Sequence, residues 1–477
     1  MGFLSRIFGG ENGGENGGAP ARAPRRSVVR AKYDAAAKTP ANAKHWAGAD
    51  GYSPVAALPD AVRKTLRERC RYEVANNSYA KGIVLTLAND LVGTGARLQL
   101  SLDERDVSSR IEAAWSAWAN EVRLADKMRL LRTGRAESGE VFAVLAKNDA
   151  LRGPIKLDLR LVESEQVPSI EYDDFGNPKR YFLLKEHPGN TGQSASTGAA
   201  AMAALESHGR WIDAASVIHY YRAERPGQLR GIPDVVPALY LFGQLRRYTM
   251  AVIECAETAA NYAGVLYTDS PANETADDVE PMDTIEVERN SFLTMPAGWK
   301  MGQLKAEQPT TTYEMFKNEI LNEVARCLNM PFNVAAGNSS KYNYASGRLD
   351  HQVYHKSLRI EQQIMADTVL DRVFSAWIAE AILISDLVPA PLRSASFDHD
   401  WMWDGQEHVD PLKEANAQAK RLENGTTTLA SEYAKQGKDW ETELRQRARE
   451  LALIEELGLS MHEADAATVK DEDNDDE

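Results

Sequence analysis

Cysteine is scarce in this chain of 477 residues: Cys70, Cys255 and Cys327 lie far apart in separate helical patterns. That spacing excludes a disulfide framework and a cysteine metal site, and each is read as a small buried hydrophobe. No run of about 18 apolar residues occurs, which excludes a membrane-spanning helix. A basic excess is missing too, since 55 Lys and Arg stand against 70 Asp and Glu for a net charge of -15. A protein that coats nucleic acid by neutralising phosphates needs the opposite sign.

The motifs of common chemistries are equally absent. There is no GxxxxGK[ST] loop and no glycine-rich turn opening a helix after a buried strand, so no nucleotide phosphate is cradled. No G-x-S-x-G presents a serine nucleophile. His351 and His355 have the i, i+4 spacing of metal ligands, but Gln352 stands where a zinc hydrolase has its glutamate, and the pair reads as ordinary helix-surface imidazoles. Asp398, His399, Asp400 and Asp404 make one acidic group of the kind a Mg²⁺-dependent nuclease uses. No second acidic cluster supports it, and the flanking Trp401 and Trp403 suggest an anchoring strand or turn. The chain does not read as an enzyme, and neither a cofactor nor a metal is expected.

What is present is patterned. Hydrophobic residues make up 43%, enough for about two to four domains with real cores. The apolar run at residues 1–8 is too short for a signal peptide and is broken by Arg6, so synthesis in a reducing cytoplasm is expected. Val62, Leu66, Cys70 and Val74, then Ile83, Leu87 and Leu91, predict two helices broken near Asn77 and stopped by Gly93 and Gly95. A short strand at 98–102 precedes a helix over 111–122, whose Trp115 and Trp118 are core aromatics. A helix over 127–138 passes through Gly139 to a strand at 141–146. Segments 155–161, 169–172, 180–184 and 217–221 predict one antiparallel sheet with a hairpin turn at 173–178. The Ser, Gly and Ala-rich stretch 189–209 is expected to be a surface loop.

A tight connection with Arg225, Pro226, Gly227, Arg230, Gly231 and Pro233 leads to a helix over 234–263. Residues 264–312 hold strand-like pieces at 265–267, 291–295 and 300–304 around Asp277, Asp278, Glu280, Asp283, Glu286 and Glu288. Phe316, Ile320, Val324 and Leu328 then predict a helix over 313–328 that stops before Pro331. A small, polar loop follows over 333–344, with Asn338, Ser339, Ser340, Lys341, Tyr342, Asn343 and Tyr344. Leu349, Val353, Ile360, Ile364, Leu370, Phe374 and Trp377 predict one long helix running on towards Pro389. Helices over 410–424 and 428–457 precede an acidic run at 471–477. The fold class is α+β, mostly helical.

Several of these stretches together resemble bacteriophage portal proteins of the lambda-like family, over most of residues 60–460. The matching motifs, in order, are Asn76-Asn77-Ser78-Tyr79-Ala80-Lys81-Gly82-Ile83 with Leu91-Val92-Gly93-Thr94-Gly95, Gly139-Glu140-Val141-Phe142, the connection from Arg225 to Pro233, Tyr342-Asn343-Tyr344-Ala345-Ser346-Gly347-Arg348, and Asp410-Pro411 with Lys413-Glu414-Ala415. Ala345 departs from the serine the family tends to have.

The resemblance implies a portal fold with a flexible N-terminal arm (1–59), an α+β wing (60–232), two stem helices (233–263 and 313–328), a clip between them (264–312), a tunnel loop (329–346), a long wing helix (347–388), a helical crown (389–460) and an acidic tail (461–477). It further implies a homo-oligomeric ring, usually of twelve subunits, at one capsid vertex of the virion, through which double-stranded DNA is packaged and ejected without sequence recognition. Its partners would be the terminase large subunit, head–tail connector or neck proteins, and major capsid and scaffold proteins, with no membrane. The candidate DNA-facing residues are 338–344, with Lys341 as a centring cation. Arg225 and Arg230 would form a wing–stem hinge whose cations meet a neighbour's carboxylates, and the acidic residues 277–288 would face a docking partner. The basic residues Arg22, Arg25, Arg26, Arg30 and Lys32 make the arm either a solvated tail or a contact to a neighbour or to DNA. The competing readings are a metal-dependent nuclease and a non-portal virion structural or adaptor protein.

Overall fold

The computed structural model describes residues 36, 39–40, 43–191, 209–261, 265–268, 299–302, 311–340, 342–405 and 411–459. The chain divides into two units, Met1–Ser53 and Pro54–Glu477. Described residues of the first make short turns, in which Ala43 N donates to Thr39 O at 2.9 Å. The second carries the helices and sheets.

Helices α1 (Asp60–Asn76) and α2 (Ser78–Val92) meet at Asn77. Its backbone is extended and its side chain accepts from Tyr79 N and Ala80 N, which caps α2 and breaks the run. Gly93, at φ 55°, ends α2 as expected. After the strand β1 (Arg97–Leu100) come α3 (Arg105–Glu121) and α4 (Leu124–Ser138). Trp115 and Trp118 are buried, with Trp115 within 5.6 Å, ring to ring, of Trp118, Phe374, Trp377 and Trp401. Distant parts of the chain thus share one aromatic core.

The expected single sheet is two. Strand β2 (Glu140–Lys147) lies between β3 (Leu157–Glu163) and β7 (Val217–Tyr221), and a separate antiparallel sheet holds β4 (Ser169–Tyr172), β5 (Pro178–Leu184) and β6 (Gly209–Asp213). The missed strand β6 has only Trp211 and Ile212 as large apolar residues, at the end of a low-complexity stretch. Phe142, Val144, Val162, Tyr181, Leu183 and Val217 from the two sheets form a small second core, which is why the strands separate into two layers. Residues 192–208 of the expected surface loop lie outside the described residues.

One 3₁₀ turn (Val236–Ala238) containing Pro237 delays the first long helix, α5, to Leu239–Asn261. Helix α6 (Thr311–Cys327) packs beside it: the Tyr248 ring lies 4.8 Å from Phe316 and 5.7 Å from Tyr313, and Tyr313 Oη donates to Thr249 Oγ1. Between them in sequence, β8 (Val265–Thr268) and β9 (Trp299–Gly302) pair antiparallel, while the piece at 291–295 lies outside the described residues.

Three further expectations are corrected. The loop 333–344 contains a short helix, α7 (Phe332–Ala336), because Pro331 starts a helix as readily as it stops one. The long helix is α8 (Tyr344–Met365), a π turn (Ala366–Leu370) and α9 (Asp371–Ala381), and it buries Tyr354, Leu358 and Met365 while leaving Leu349, Val353 and Ile360 exposed at 65%, 63% and 56%. After the strand β10 (His399–Met402), which pairs with β1, the helix expected over 428–457 is broken into α11 (Leu429–Lys435) and α12 (Trp440–Glu456), behind α10 (Pro411–Glu423). The break is at Gly437, at φ 70°, where a Cβ would lie 2.6 Å from Gly405 N and Trp403 O. Of the cysteines only Cys70 is buried; Cys255 is exposed and Cys327 half-buried.

Candidate channel loop and hinge

The polar loop is held at both ends. Gly337, at φ 63°, ends α7, and Asn338 N donates back to Asn333 O at 3.0 Å. Asn343 caps α8 by accepting from Ser346 N at 2.9 Å. Asn333 Nδ2 reaches Ser339 Oγ and His351 Nε2, so the loop's base is tied to the long helix. Gly337, Asn338, Ser339, Ser340 and Asn343 are exposed, and Tyr342 is half-buried. Lys341 lies outside the described residues, as do Asp277, Asp278, Glu280, Asp283, Glu286 and Glu288; Tyr344 opens α8. His351 and His355 are half-buried, not on the surface, and burial lowers the basicity of His355 with help from His351.

The connection from Arg225 to Pro233 is the more tightly built site. Gln228, buried, staples it: Nε2 donates to Arg230 O at 2.8 Å, and Oε1 accepts from Glu224 N and Arg225 N. Arg230 Nε lies 2.9 Å from both oxygens of Glu140, and its Nη2 2.6 Å from Oε1. The same carboxylate accepts from Ser164 Oγ at 2.6 Å and Gly231 N at 3.0 Å, and faces His219 Nε2 at 3.1 Å. The Glu140 side chain is wholly buried. Burial alone would raise its pKa, but Arg230, then His219, hold it well below the usual carboxylate range. His219 is lowered by burial, against the pull of Glu140. Arg230 Nε and Nη2 thus face a carboxylate of their own chain, where a neighbour's was expected. Arg225 is exposed.

A second buried ion group adjoins the first. Arg135, only 1% exposed, has Nη1 2.7 Å from Glu361 Oε2 on α8, accepted also by Tyr220 Oη at 3.1 Å, and Nε 3.5 Å from Asp234 Oδ2. Arg132 Nη1 donates to Asp234 Oδ2 at 2.7 Å, and the Cys327 thiol at the end of α6 donates to Asp234 O. Asp234, at the head of α5, thus joins α4, α6 and, through Arg135, the long helix. Glu140 entered the sequence reading only within the Gly139–Phe142 motif, with no role given to it, and Arg135 not at all; the available signal was a carboxylate heading an otherwise apolar strand.

Two of the three carboxylates near residue 400 are spent on structure, and Asp400 is exposed. Asp404 accepts from Thr94 N and Thr94 Oγ1, Asp398 accepts from Ser396 Oγ, and His399 faces Phe397 O and Asp371. Among the described residues, the group with metal-ligand proximity is a different one, Glu163, Glu165 and His187, and its carboxylates already pair with Arg67 and Arg71.

Comparison with known proteins gives the family. The family model described as phage portal protein, lambda family, matches residues 41–362. The chain is 22% identical to the "Probable portal protein" of Halomonas phage phiHAP-1, covering 83% of this chain and 82% of that one. It is also 22% identical to portal protein B of Escherichia phage lambda, covering 81% of this chain and 83% of that one. Among solved structures, a chain from the neck of an empty GTA particle is 12% identical, with 78% of this chain and 93% of that chain covered, at a TM-score of 0.43. The matched family model places the chain, with its helical pair, its insert and the polar loop at the foot of a long helix, in the class of phage portal proteins. Within that class, the chain belongs to the lambda family of phage portal proteins. It is a structural virion component and not an enzyme.

Proposed function

We infer that residues 337–343 are the part of this portal that double-stranded DNA passes as it is packaged and ejected. The observation that carries this reading is the exposed run Gly337–Asn338–Ser339–Ser340, small and neutral, pinned at both ends to packed helices. A surface of that kind offers a polyanion no array of fixed cations, so the duplex slides without binding. Lys341 centres it. Helices α5 and α6 form the stem, residues 264–312 the clip, and the acidic side chains at 277–288 meet the terminase large subunit and later the neck proteins. The ring has twelve copies and is assembled in the host cytoplasm with capsid and scaffold proteins. The exposed stripe Leu349, Val353 and Ile360 supports burial against a neighbouring copy.

Electron microscopy of the purified protein tests the ring, and a monodisperse monomer at high concentration would count against it. For the loop, Lys341→Glu is expected to leave rings intact and to lower the DNA packaged per head, read by quantitative amplification of protected genomes. Unchanged packaging removes Lys341 from the role.

A further inference from the structure

Helix α1 presents Arg63, Arg67 and Arg71 at successive turns, and two of them are matched inside the chain. Arg67 Nε lies 3.1 Å and Arg71 Nη1 2.8 Å from Glu165 Oε1. Arg63 is different. Its side chain is only 10% exposed, yet Nε and Nη1 are buried without a hydrogen-bond partner among the described residues. Its Nη2 donates to Asp60 Oδ1 at 3.1 Å, and Asp60 is 78% exposed, so that pair is solvated, weak and exchangeable. A buried cation with unmatched donors is a standing cost to the fold, which an incoming anion removes.

Arg63 lines a crevice of about 350 Å³, whose other walls include Pro54, Val55, Pro59, Pro168, Ile170 and Leu229. Volume and lining suit a small group that is apolar along its length and charged at one end. Arg230 also borders the crevice, but Glu140 takes its Nε and Nη2 and balances its charge. One cation is therefore available, with Asp60 beside it, and that balance favours a single negative charge over a phosphate dianion. Burial, and then the charge of Arg230, lower the pKa of Arg63 against the pull of Glu140 and Asp60.

We propose that this crevice is a carboxylate site, which takes one carboxylate on a short apolar stem. The carboxylate comes either from a glutamate of an adjacent copy or from a free organic acid. On entry it displaces Asp60 from Nη2, and a small turn of the guanidinium brings Nη1 to its second oxygen.

Butyrate, titrated into the dispersed full-length protein against chloride at equal ionic strength, tests the site through the thermal midpoint. Arg63→Met keeps the packing of the stem and removes the charge. Val55→Trp fills the crevice from a wall residue that is 56% exposed, and leaves Arg63 in place. The wild type is expected to show a saturable rise, with butyrate bound about tenfold or more weakly in both variants. The same response in all three proteins, or no saturable response in the wild type, overturns the proposal. The assembled ring separates the two sources. If an adjacent copy supplies the carboxylate, butyrate releases subunits from wild-type rings and not from Arg63→Met rings. If a free acid is the ligand, rings stay whole and show the same thermal rise as the dispersed protein.

Discussion

Replacing Glu140 by glutamine keeps the shape of the site around Arg230 and removes the buried negative charge beside it. Five groups point at that carboxylate: the Arg230 Nε and Nη2, Ser164 Oγ, Gly231 N and His219 Nε2. An amide can satisfy part of this set, but its own NH₂ then faces donors, and the guanidinium is left buried without a counter-charge. Breaking a buried pair from one side costs about 3–5 kcal/mol, whereas replacing both partners by well-packed apolar residues is often close to neutral. Glu140→Gln is therefore expected to lose about 3 kcal/mol or more in urea titrations followed by tryptophan fluorescence, and Glu140→Leu with Arg230→Met to lose clearly less than that. A single-variant loss under about 1 kcal/mol, or a double variant that loses the sum of both singles, would refute the reasoning. The pH dependence has a fixed sign. Glu140 and His219 are both depressed in the folded state, from ordinary values of 4.5 and 6.5. Their contributions are thus present above those values and lost as pH falls, His219's first and Glu140's only below about 4.5. Glu140→Gln should flatten the second fall.

Gly231→Ala places a Cβ 2.0 Å from Gly139 O, backbone against backbone, and should destabilise by roughly 3 kcal/mol in the same titration, where Gly227→Ala, with open space around it, loses only what its φ of 77° demands. Trp377→Ala empties the centre of the aromatic core and should cost about 3–5 kcal/mol, with loss of the near-ultraviolet dichroism of the tryptophan cluster. Asp404→Asn should weaken the bonds to Thr94 by about 1 kcal/mol and speed amide exchange at Thr94, and no Mg²⁺-dependent cleavage of plasmid should appear in the wild type or in Asp400→Ala.

The periodic helices were legible because their apolar faces are also their buried faces: Cys70, Val74, Ile83 and Leu87 all sit in the core. Where that identity fails, so does the reading. Leu349, Val353 and Ile360 have helical spacing and yet face outward, since in a ring-forming chain an apolar stripe can be meant for another copy. Gly437 and Pro331 act through the φ they require, and what they do depends on neighbours that one stretch of sequence does not name. The loop was found by its composition. The connection from Arg225 to Pro233 was marked by its glycines and prolines, but not its chemistry, because Arg230 meets a residue 90 positions away and only the fold brings Glu140 to it.

The guanidinium of Arg135 has a mechanical consequence. It sits at a fulcrum between Asp234, just ahead of α5, and Glu361, midway along the helix that carries the loop. Prising these apart means stripping a cation that water does not reach, so the two helices and α4 should move as one stiff lever. Strain applied at one end is then delivered to the other with little lost between.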